Sequence, residues 1–334
     1  MWNIIKKRLI MLIFVIFGVS LIMFLMTHVI PGDPARMIVG QRASQETYQR
    51  VREQLGLNDP LYVQYFHYLG QLAHLNLGTS IRTQQPVISD LLAYFPATLE
   101  LIFYAFLFAI FFGVILGVIT AVKNNTKYDY IGRIFSLTGV SVPVFLSGLA
   151  AIIIFYGKFG WFPASGRLDM FLNPPPRITG FYTIDSLLTG NFAVFKNAIW
   201  HLVMPATVLG LVQLSTIARQ VRSSMIEVLN QEYIRTAHAN GLPKWFLIIR
   251  YALRNALIPT VTVIGVMFGT LLGGAVVTET VFNWPGMGSY VVQSISSLDF
   301  PAIMGFTLVI SVAYVLINLI VDLLYLFLDP QIRE

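Results

Sequence analysis

The side chains that most often carry out chemistry in proteins are sparse in this sequence. There is no cysteine, which excludes structural disulfides, thiolate nucleophiles and cysteine-based zinc sites. The five histidines are scattered and no His-Glu-x-x-His occurs, so no metal or haem site is expected. No Gly-x-x-x-x-Gly-Lys-Ser/Thr phosphate loop and no Gly-x-Ser-x-Gly motif is present. The sequence therefore predicts a protein that is not an enzyme, with any ATP bound by another chain.

The most unusual polar stretch lies between two strongly apolar segments, at residues 219–259. Good helix formers fill residues 227–239, Gly241 suits a left-handed helix cap, and Pro243 suits the first turn of a following helix. Two helices are therefore predicted to meet there at a sharp corner. The stretch carries six basic residues: Arg219, Arg222, Arg235, Lys244, Arg250 and Arg254.

The second helix of the corner, residues 244–254, has two interpretations. It is either an interfacial helix whose cations reach back to water, or a short transverse helix that docks into a cleft of a soluble partner. In both cases the helical repeat predicts one shared apolar face, formed by Trp245, Ile248, Ile249 and Ala252.

The composition places the chain in a membrane. The 334 residues are 56% hydrophobic and only 11% charged, and the mean hydropathy is +0.71. Soluble domains usually carry about 25% charged residues, so much of this surface must face something other than water. The net charge of +6 is explained by membrane topology better than by nucleic acid, because the basic residues lie beside apolar runs.

Six apolar stretches approach the roughly 20 residues that a helix needs to cross a bilayer core. We predict spans at residues 9–30, 96–122, 134–156, 201–218, 258–282 and 301–328. A cleaved signal peptide is disfavoured for residues 1–30, because the apolar run is too long and no small-x-small site follows it. More than half of the 22 Lys and Arg residues fall in short segments on one side, which predicts that both termini are cytoplasmic.

The remaining segments are assigned from this topology. Residues 31–95 are predicted to form a small extracytoplasmic domain, with helices from Ser44 to Leu55 and over residues 62–75, and with Gly56 as the first helix stop. Residues 96–328 would be the membrane-embedded core. The loops are predicted outside at 157–199 and 283–299 and inside at 123–133 and 219–257, with a cytoplasmic tail at 329–334.

Two rows of small residues mark helix faces that allow close approach. Gly113, Gly117 and Ala121 repeat every four residues in the second span, and a second row lies in the fifth span. The second row serves either packing within the chain or contact with a second membrane chain along a pathway. It consists of Gly265, Gly269 and Gly273.

Other span residues break the apolar pattern. Pro143 interrupts the third span, either as an ordinary kink or as a pore-lining bend. The acidic residues Glu100, Glu279 and Asp322 lie toward span ends, where their carboxylates are expected to reach water or headgroups. Their scarcity, and the absence of an internal repeat, argue against an ion-coupled secondary transporter.

Several motifs resemble one family. Arg235-Thr-Ala237-x-x-x-Gly241 is similar to the Glu-Ala-Ala-x-x-x-Gly loop of bacterial ABC importer permeases, with Arg235 and Thr236 replacing the first Glu and Ala, and Arg254 standing at a family proline. Further motifs resemble the dipeptide/oligopeptide branch in its own order: Pro31-Gly-Asp-Pro-Ala35, Leu55-Gly-Leu-Asn-Asp-Pro-Leu61, Asn76-Leu-Gly-Thr-Ser80, Glu232-Tyr-Ile-Arg-Thr-Ala-His-Ala-Asn-Gly241, Leu253-Arg-Asn-Ala-Leu-Ile-Pro259 and Glu279-Thr-Val-Phe-Asn-Trp-Pro-Gly-Met-Gly288.

This resemblance implies an all-α membrane protein with the six-helix fold of type I ABC importer permeases. It also implies a multi-pass protein of the bacterial or archaeal plasma (inner) membrane that imports di- or oligopeptides. The implied partners are a second homologous permease, two cytoplasmic ATPases that hold ATP and magnesium, and an extracytoplasmic peptide-binding protein, with no cofactor on this chain and no nucleic acid. The implied ATPase-coupling residues are Glu232, Arg235, Thr236, Ala237, Gly241 and Pro243.

The resemblance leaves alternatives open. Within the family, the solute is a nickel chelate, glutathione or another small molecule if it is not a peptide, because the binding protein usually selects it. Outside the family remain an ion-coupled secondary transporter and a structural partner subunit without a pathway. We assign Gly265, Gly269, Gly273 and Glu279 to the pathway or to the contact between permeases.

Overall fold

The computed structural model of the chain describes residues 2–29, 36, 44–54 and 56–328. This part is helical, and its only pairing of extended residues is an isolated bridge between Thr79 and Pro86. The chain divides into two compact units, one formed by Met1–Phe95 with Tyr290–Leu326 and the other by Pro96–Ser289. The motif at residues 31–35, Leu55, the side chain of Asp322 and the predicted tail at 329–334 lie outside the described residues.

The helices follow the apolar and turn pattern of the sequence. The first five are α1 (Trp2–Val29), α2 (Gln45–Gln54), α3 (Leu61–Ala73), α4 (Val87–Val122) and α5 (Lys127–Ser141). They are followed by α6 (Val144–Ala151), the π-helix π1 (Ile152–Lys158), α7 (Tyr182–Leu188), α8 (Phe192–Leu229), α9 (Glu232–Ala239) and the short α10 (Lys244–Phe246). The last elements are the π-helix π2 (Leu247–Leu253), α11 (Arg254–Val281), α12 (Met287–Ser296) and α13 (Phe300–Leu328).

Four helical stretches among the described residues are long and apolar enough to cross a membrane: Lys6–Thr27, Val87–Val122, Phe192–Leu229 and Phe300–Val321. A fifth is added if the bent pair Lys127–Ser141 and Val144–Lys158 counts as one span. The predicted fifth span lies in α11, whose 28 residues extend about 42 Å at 1.5 Å per residue. The described residues of the six predicted spans therefore lie in helices except at the break at 142–143 and at Phe282, and the count of six crossings stays a prediction.

Several predicted boundaries differ from helix ends. The second and fourth spans belong to helices that begin earlier, at Val87 and Phe192, because Pro96 and Pro205 are both accommodated inside a helix. The predicted outside loop at 283–299 contains α12, and the loop at 157–199 contains α7. The two helices predicted before the second span are confirmed as α2 and α3, and Gly56 has a φ of +63° beyond α2.

Pro143 produces a break instead of a kink. Helix α5 ends at Ser141, Val142 is extended, and Pro143 caps the start of α6. The residue before a proline avoids the helical region, so the chain turns there. The two helical parts are bent by 108°. The predicted third span is therefore not one continuous helix.

In the first unit, two aspartates organise the polar segment after α3. Asp299 accepts hydrogen bonds from Ser80 Oγ at 2.5 Å and from Arg82 N at 3.1 Å. Asp90 accepts from Thr83 Oγ1 at 2.6 Å and from the Tyr290 hydroxyl at 3.1 Å. The bonds of Asp90 join the start of α4 to α12, and those of Asp299 join the segment before α4 to the residue that precedes α13.

The second unit is built around α8, which is largely buried: in an apolar stretch of 18 residues of this helix, 67% is buried inside the protein. Helices α4 and α8 approach each other closely at two glycines of α4. A Cβ added on Gly117 would lie 2.6 Å from Val221 Cβ, and one added on Gly113 would lie 3.0 Å from Ile217 Cβ. The predicted small-residue row of the second span therefore packs within this chain. The core that results also includes α9, π2 and α11, through Ile234, Ala252 and Ala256.

A methyl group at Gly117 tests this packing. We expect Gly117→Ala to lower the free energy of unfolding by about 1–3 kcal/mol, because the added carbon overpacks the contact with Val221. The matched control is Gly18→Ala in α1, where nothing lies within 4 Å of the added carbon and helix propensity favours alanine. Thermal unfolding of the purified protein in detergent measures both, and equal midpoints would contradict the close contact.

Candidate functional site

The polar corner after α8 has the predicted shape. Helix α9 ends at Ala239, Gly241 follows with a φ of +83°, and Pro243 caps the next helical segment. The end of α9 is closed by hydrogen bonds from Asn240 N to Thr236 O and from Gly241 N to His238 O, both at 3.0 Å. A left-handed residue at this position is typical of glycine, because other residues are strained in that backbone conformation.

One side of α9 fixes the corner to the unit. Ile234 is the buried residue of α9 and packs with Met225 of α8 and with Ala252 and Ala256 of the following helices. Asn255 Nδ2 donates a hydrogen bond to the Tyr233 hydroxyl at 2.8 Å. A force on α9 would therefore reach both α8 and α11 through close contacts.

The other side of α9 is open. Glu232, Arg235, Thr236, Gly241 and Pro243 are exposed, and Ala237 is half-buried. Glu232 and Arg235 form an exposed ion pair at 3.1 Å, which contributes little to stability. No atom lies within 4 Å of a Cβ built on Gly241. The six residues predicted to couple the chain to an ATPase are thus brought together on one corner, with room for a partner.

The second helix of the corner differs from the prediction. It has no shared apolar face, because Trp245 and Ile249 are exposed while Ala252 is fully buried. The physical reason is the π-helix Leu247–Leu253, whose wider turn shifts the later residues out of the 3.6-residue repeat. The segment continues directly into α11, so the corner and the predicted fifth span are one continuous helical element.

The glycine row of α11 does not form one uniform face. Gly269 is buried, Gly265 is half-buried, and Gly273 is exposed with nothing within 4 Å of an added Cβ. Leu209 of α8 approaches the neighbouring Gly274 instead. Gly273 is therefore available to a second chain, and Gly269 is not.

Glu279 is a structural carboxylate. It is fully buried and accepts hydrogen bonds from Thr98 Oγ1 at 2.6 Å, Gly288 N at 2.7 Å and Ser289 N at 3.1 Å. A Cβ on Gly286 would collide with it, which explains that glycine in the motif. The expectation that this carboxylate reaches water or headgroups is wrong, and its bonds favour a role in holding the segment at 284–289 over a role in a pathway.

Glu100 is also buried, contrary to the same expectation. Its side chain is 1% exposed and pairs with Arg167, which is 8% exposed. Thr183 donates to Glu100 from its backbone N at 2.9 Å and from Oγ1 at 2.7 Å. Arg167 also donates to the Gly180 carbonyl at 3.0 Å and lies over the Tyr182 ring. This network attaches the predicted outside loop to α4.

Two further aspartates of that loop were not identified from the sequence. Asp185 accepts from the backbone N of Ile178, Thr179 and Gly180, at 3.2, 2.8 and 2.9 Å. Burial raises the pKa of Asp185, but the hydrogen bonds from Thr179, Gly180 and Ile178 outweigh it and the net pKa is lowered. The signal available in the sequence was the Thr179-Gly-x-x-x-x-Asp185 run, since such short polar side chains often bond nearby backbone amides.

The second of these aspartates, Asp169, is bonded to α8. Hydrogen bonds from His201 and Asn197 hold the pKa of Asp169 below its usual range. The His201 Nε2 atom lies 3.1 Å from Asp169 Oδ1. His201, which the sequence left without a role, thus positions the loop. Within the described ranges, no group of three or more His, Asp or Glu side chains could hold a metal ion.

Comparison with known families covers nearly the whole chain. The family described as binding-protein-dependent transport system inner membrane component matches residues 113–334, and the N-terminal family of the same transport components matches residues 1–102. Among solved structures, a chain of an amino acid ABC transporter has a TM-score of 0.49 and 13% identity over 77% of this chain and 96% of that chain.

Curated relatives are similar over their full length. The probable D,D-dipeptide transport system permease protein DdpB of Escherichia coli strain K12 is 54% identical, over 99% of this chain and 97% of that protein. The dipeptide transport system permease protein DppB of Alkalihalophilus pseudofirmus is 44% identical over 98% of both chains. The glutathione transport system permease protein GsiC of Salmonella choleraesuis is 37% identical over 100% of this chain and 99% of that protein.

Removing Arg167 tests the buried pair with Glu100. We expect Arg167→Met to lower the free energy of unfolding by roughly 3–5 kcal/mol, because it leaves a buried carboxylate without its partner. The double variant Glu100→Gln with Arg167→Met should recover part of this loss. The control Arg50→Met breaks the exposed pair with Glu46 and should cost less than about 1 kcal/mol. Equal losses in Arg167→Met and Arg50→Met would contradict the assignment.

The lowered pKa of Asp185 predicts a dependence on pH. A carboxyl whose pKa is lower in the folded state stabilises it above its unfolded pKa of about 3.9, and this contribution is lost as the pH falls through the folded pKa. We therefore expect Asp185→Asn to lower the unfolding midpoint at neutral pH, and the difference from wild type to shrink as the pH falls below about 4. A difference that grows toward acid would contradict this sign.

Proposed function

Because the chain belongs to the family of binding-protein-dependent transport system inner membrane components, we propose that it is the permease subunit of an ABC importer of dipeptides or oligopeptides. The observation that carries the proposal is full-length identity of 54% and 44% to permeases named for D,D-dipeptide and dipeptide transport. The relative named for glutathione transport is less similar, at 37%, which favours peptides over that alternative.

The chain would form half of a translocation pathway. A second homologous permease would supply the other half, and Gly273 is an exposed point on α11 where a neighbouring helix can approach. An extracytoplasmic binding protein would deliver the peptide. In the loop at 157–199, the part from Arg167 to Asp185 would face that side, and its bonds from Arg167 to Glu100 and from Asp169 to His201 would keep it ordered for docking.

Two cytoplasmic ATPases would supply the energy, since the sequence contains no phosphate loop. The exposed corner of Glu232, Arg235, Thr236, Gly241 and Pro243 is the proposed contact, with Ala237 beneath it. Closure of the ATPases would move α9 as a rigid body. The packing of Ile234 and the continuity of π2 with α11 would pass this motion to the membrane helices.

The proposed contact of the corner with the ATPases sets the orientation of the protein in the membrane. If α9 meets cytoplasmic ATPases, the polar segments that carry Lys123, Lys127 and Arg133 lie on the same cytoplasmic side, as do both termini. The protein would then be a multi-pass protein of the plasma membrane, with residues 31–95 outside. The wild type contains no cysteine, so single cysteines can be introduced at chosen positions. Labelling each of them from one side of the membrane measures this topology directly.

A charged substitution at Gly241 tests the coupling assignment. We expect Gly241→Glu to leave the assembled transporter in the membrane but to abolish most peptide uptake, while ATP hydrolysis is no longer stimulated by the loaded binding protein. The reason is that the added side chain lies on the contact surface and meets nothing within its own chain.

The matched control is Gly160→Glu. Gly160 also has a positive φ, of +62°, and also has nothing within 4 Å of an added Cβ, but it lies in the predicted outside loop. Both variants carry a similar backbone strain of about 1 kcal/mol, so strain alone cannot separate them. Normal uptake by Gly241→Glu, or equal loss in both variants, would count against coupling at this corner.

A further inference from the structure

Three arginines line a cavity at one end of the second unit. Its volume is about 280 Å³, and it lies where the last turn of α4 meets the middle of α5 and the second half of α8. Arg133 of α5 and Arg219 and Arg222 of α8 contribute the charges. Ser136 adds a hydroxyl group and Leu137 an apolar edge. The coupling corner uses none of these residues.

The cavity carries more positive charge than the protein neutralises. Asp129 is fully buried, with its oxygens 2.7 and 2.9 Å from Arg222 and 3.3 Å from Arg133 Nη2. The Asp129 carboxylate therefore forms ion pairs with two of the three guanidinium groups. Within the described part of the chain, Arg219 has no ion pair or hydrogen bond, and Arg133 Nε is buried without an acceptor. A buried donor without an acceptor is costly, so the site is suited to an added anion.

The surroundings of the cavity point to the kind of anion. On α5, Leu137 at its edge and Ile134 nearby are 56% and 63% exposed, which marks an apolar face outside the cavity. A ligand that fits both parts has a phosphate for the guanidinium groups and hydrocarbon for the exposed face. Arginine binds phosphate oxygens through paired N–H donors. A soluble anion would use the cavity and leave the apolar face uncovered.

We propose that this cavity binds the phosphate of an anionic phospholipid, with its acyl chains along the exposed apolar face of α5. In the proposed topology the site lies at the cytoplasmic surface, where anionic lipids and clusters of basic residues attract each other. The lipid would join α5 to α8 beside the Gly132–Thr120 contact, where a Cβ on Gly132 would collide with Thr120. The inference goes beyond peptide import and stands whether or not the solute is a peptide.

The test uses the purified, assembled transporter in detergent, with phosphatidylglycerol as the probe and phosphatidylcholine as the neutral comparison. Native mass spectrometry measures lipid retention, and size-exclusion chromatography checks that every variant remains assembled. The variant is Arg219→Gln, because Arg219 has no partner within the described chain whose loss would perturb folding. The control is Lys127→Gln, which removes an exposed cation from the same end of α5 outside the cavity.

We expect the wild type to retain phosphatidylglycerol in preference to phosphatidylcholine. Arg219→Gln should weaken phosphatidylglycerol binding about fivefold, as expected for one basic residue near a membrane surface, while Lys127→Gln leaves it unchanged. Inorganic phosphate should fail to displace the lipid.

Three results would overturn the proposal. Equal weakening in both variants would mean diffuse attraction without a site. Displacement by inorganic phosphate would mean a site for a soluble anion. Loss of a partner subunit from the Arg219→Gln complex, with lipid retention unchanged, would mean that the arginines bind a carboxylate of another protein.

Discussion

The close approach of α4 and α8 is the contact on which the second unit depends. Gly113 and Gly117 remove the side chains that would hold the two helices apart, and Ile217 and Val221 fill the space. In a bilayer, helices gain little from burying apolar surface against each other, so association relies on fit and on polar bonds. The core that forms around α8 then gives Ile234 a place to pack, which fixes the exposed corner to the membrane helices.

Polar bonds supply the second half of this architecture. Glu100, Glu279 and Asp129 are each at most 1% exposed, and each accepts a hydrogen bond from at least one side chain in a distant part of the chain. Buried ion pairs and carboxylates add little net stability, but removing one partner is costly. Their effect is to select one arrangement of loops and helices. The family motif at residues 279–288 has this explanation, since its glycines make room for the carboxylate, which the backbone amides of Gly288 and of Ser289, just after the motif, bind.

The structure also distinguishes an exposed corner from loops that are bonded at several points to the membrane helices. The corner around Gly241 is exposed, polar and anchored mainly by Ile234. This arrangement suits a surface that binds a partner and is attached to the membrane helices as one rigid piece. The loop that carries Arg167, Asp169 and Asp185 is bonded at several points to α4 and α8. An ATP-driven permease requires both properties. The arginine cavity between α5 and α8 adds a third surface, where the protein meets its lipid.

The sequence by itself determined the class of the protein, most of its long helices and the corner. Apolar runs of the length of a bilayer place α1, α4, α8 and α13, and Gly241 with Pro243 places the break after α9. These features are local, because hydropathy, helix propensity and a positive φ depend on neighbouring residues.

The tertiary structure decided the features that depend on residues far apart in the chain. It showed that Glu100 and Glu279 are buried and bonded, because Arg167 and Thr98 come from distant segments. It showed two helical parts bent by 108° at Pro143 where the sequence predicted one span. An apolar run predicts the length of a helical segment but not the angle at which the chain continues after a proline. It divided the apolar face of residues 244–254, because a π-helix, which no periodicity of 3.6 predicts, rotates the later residues of the segment.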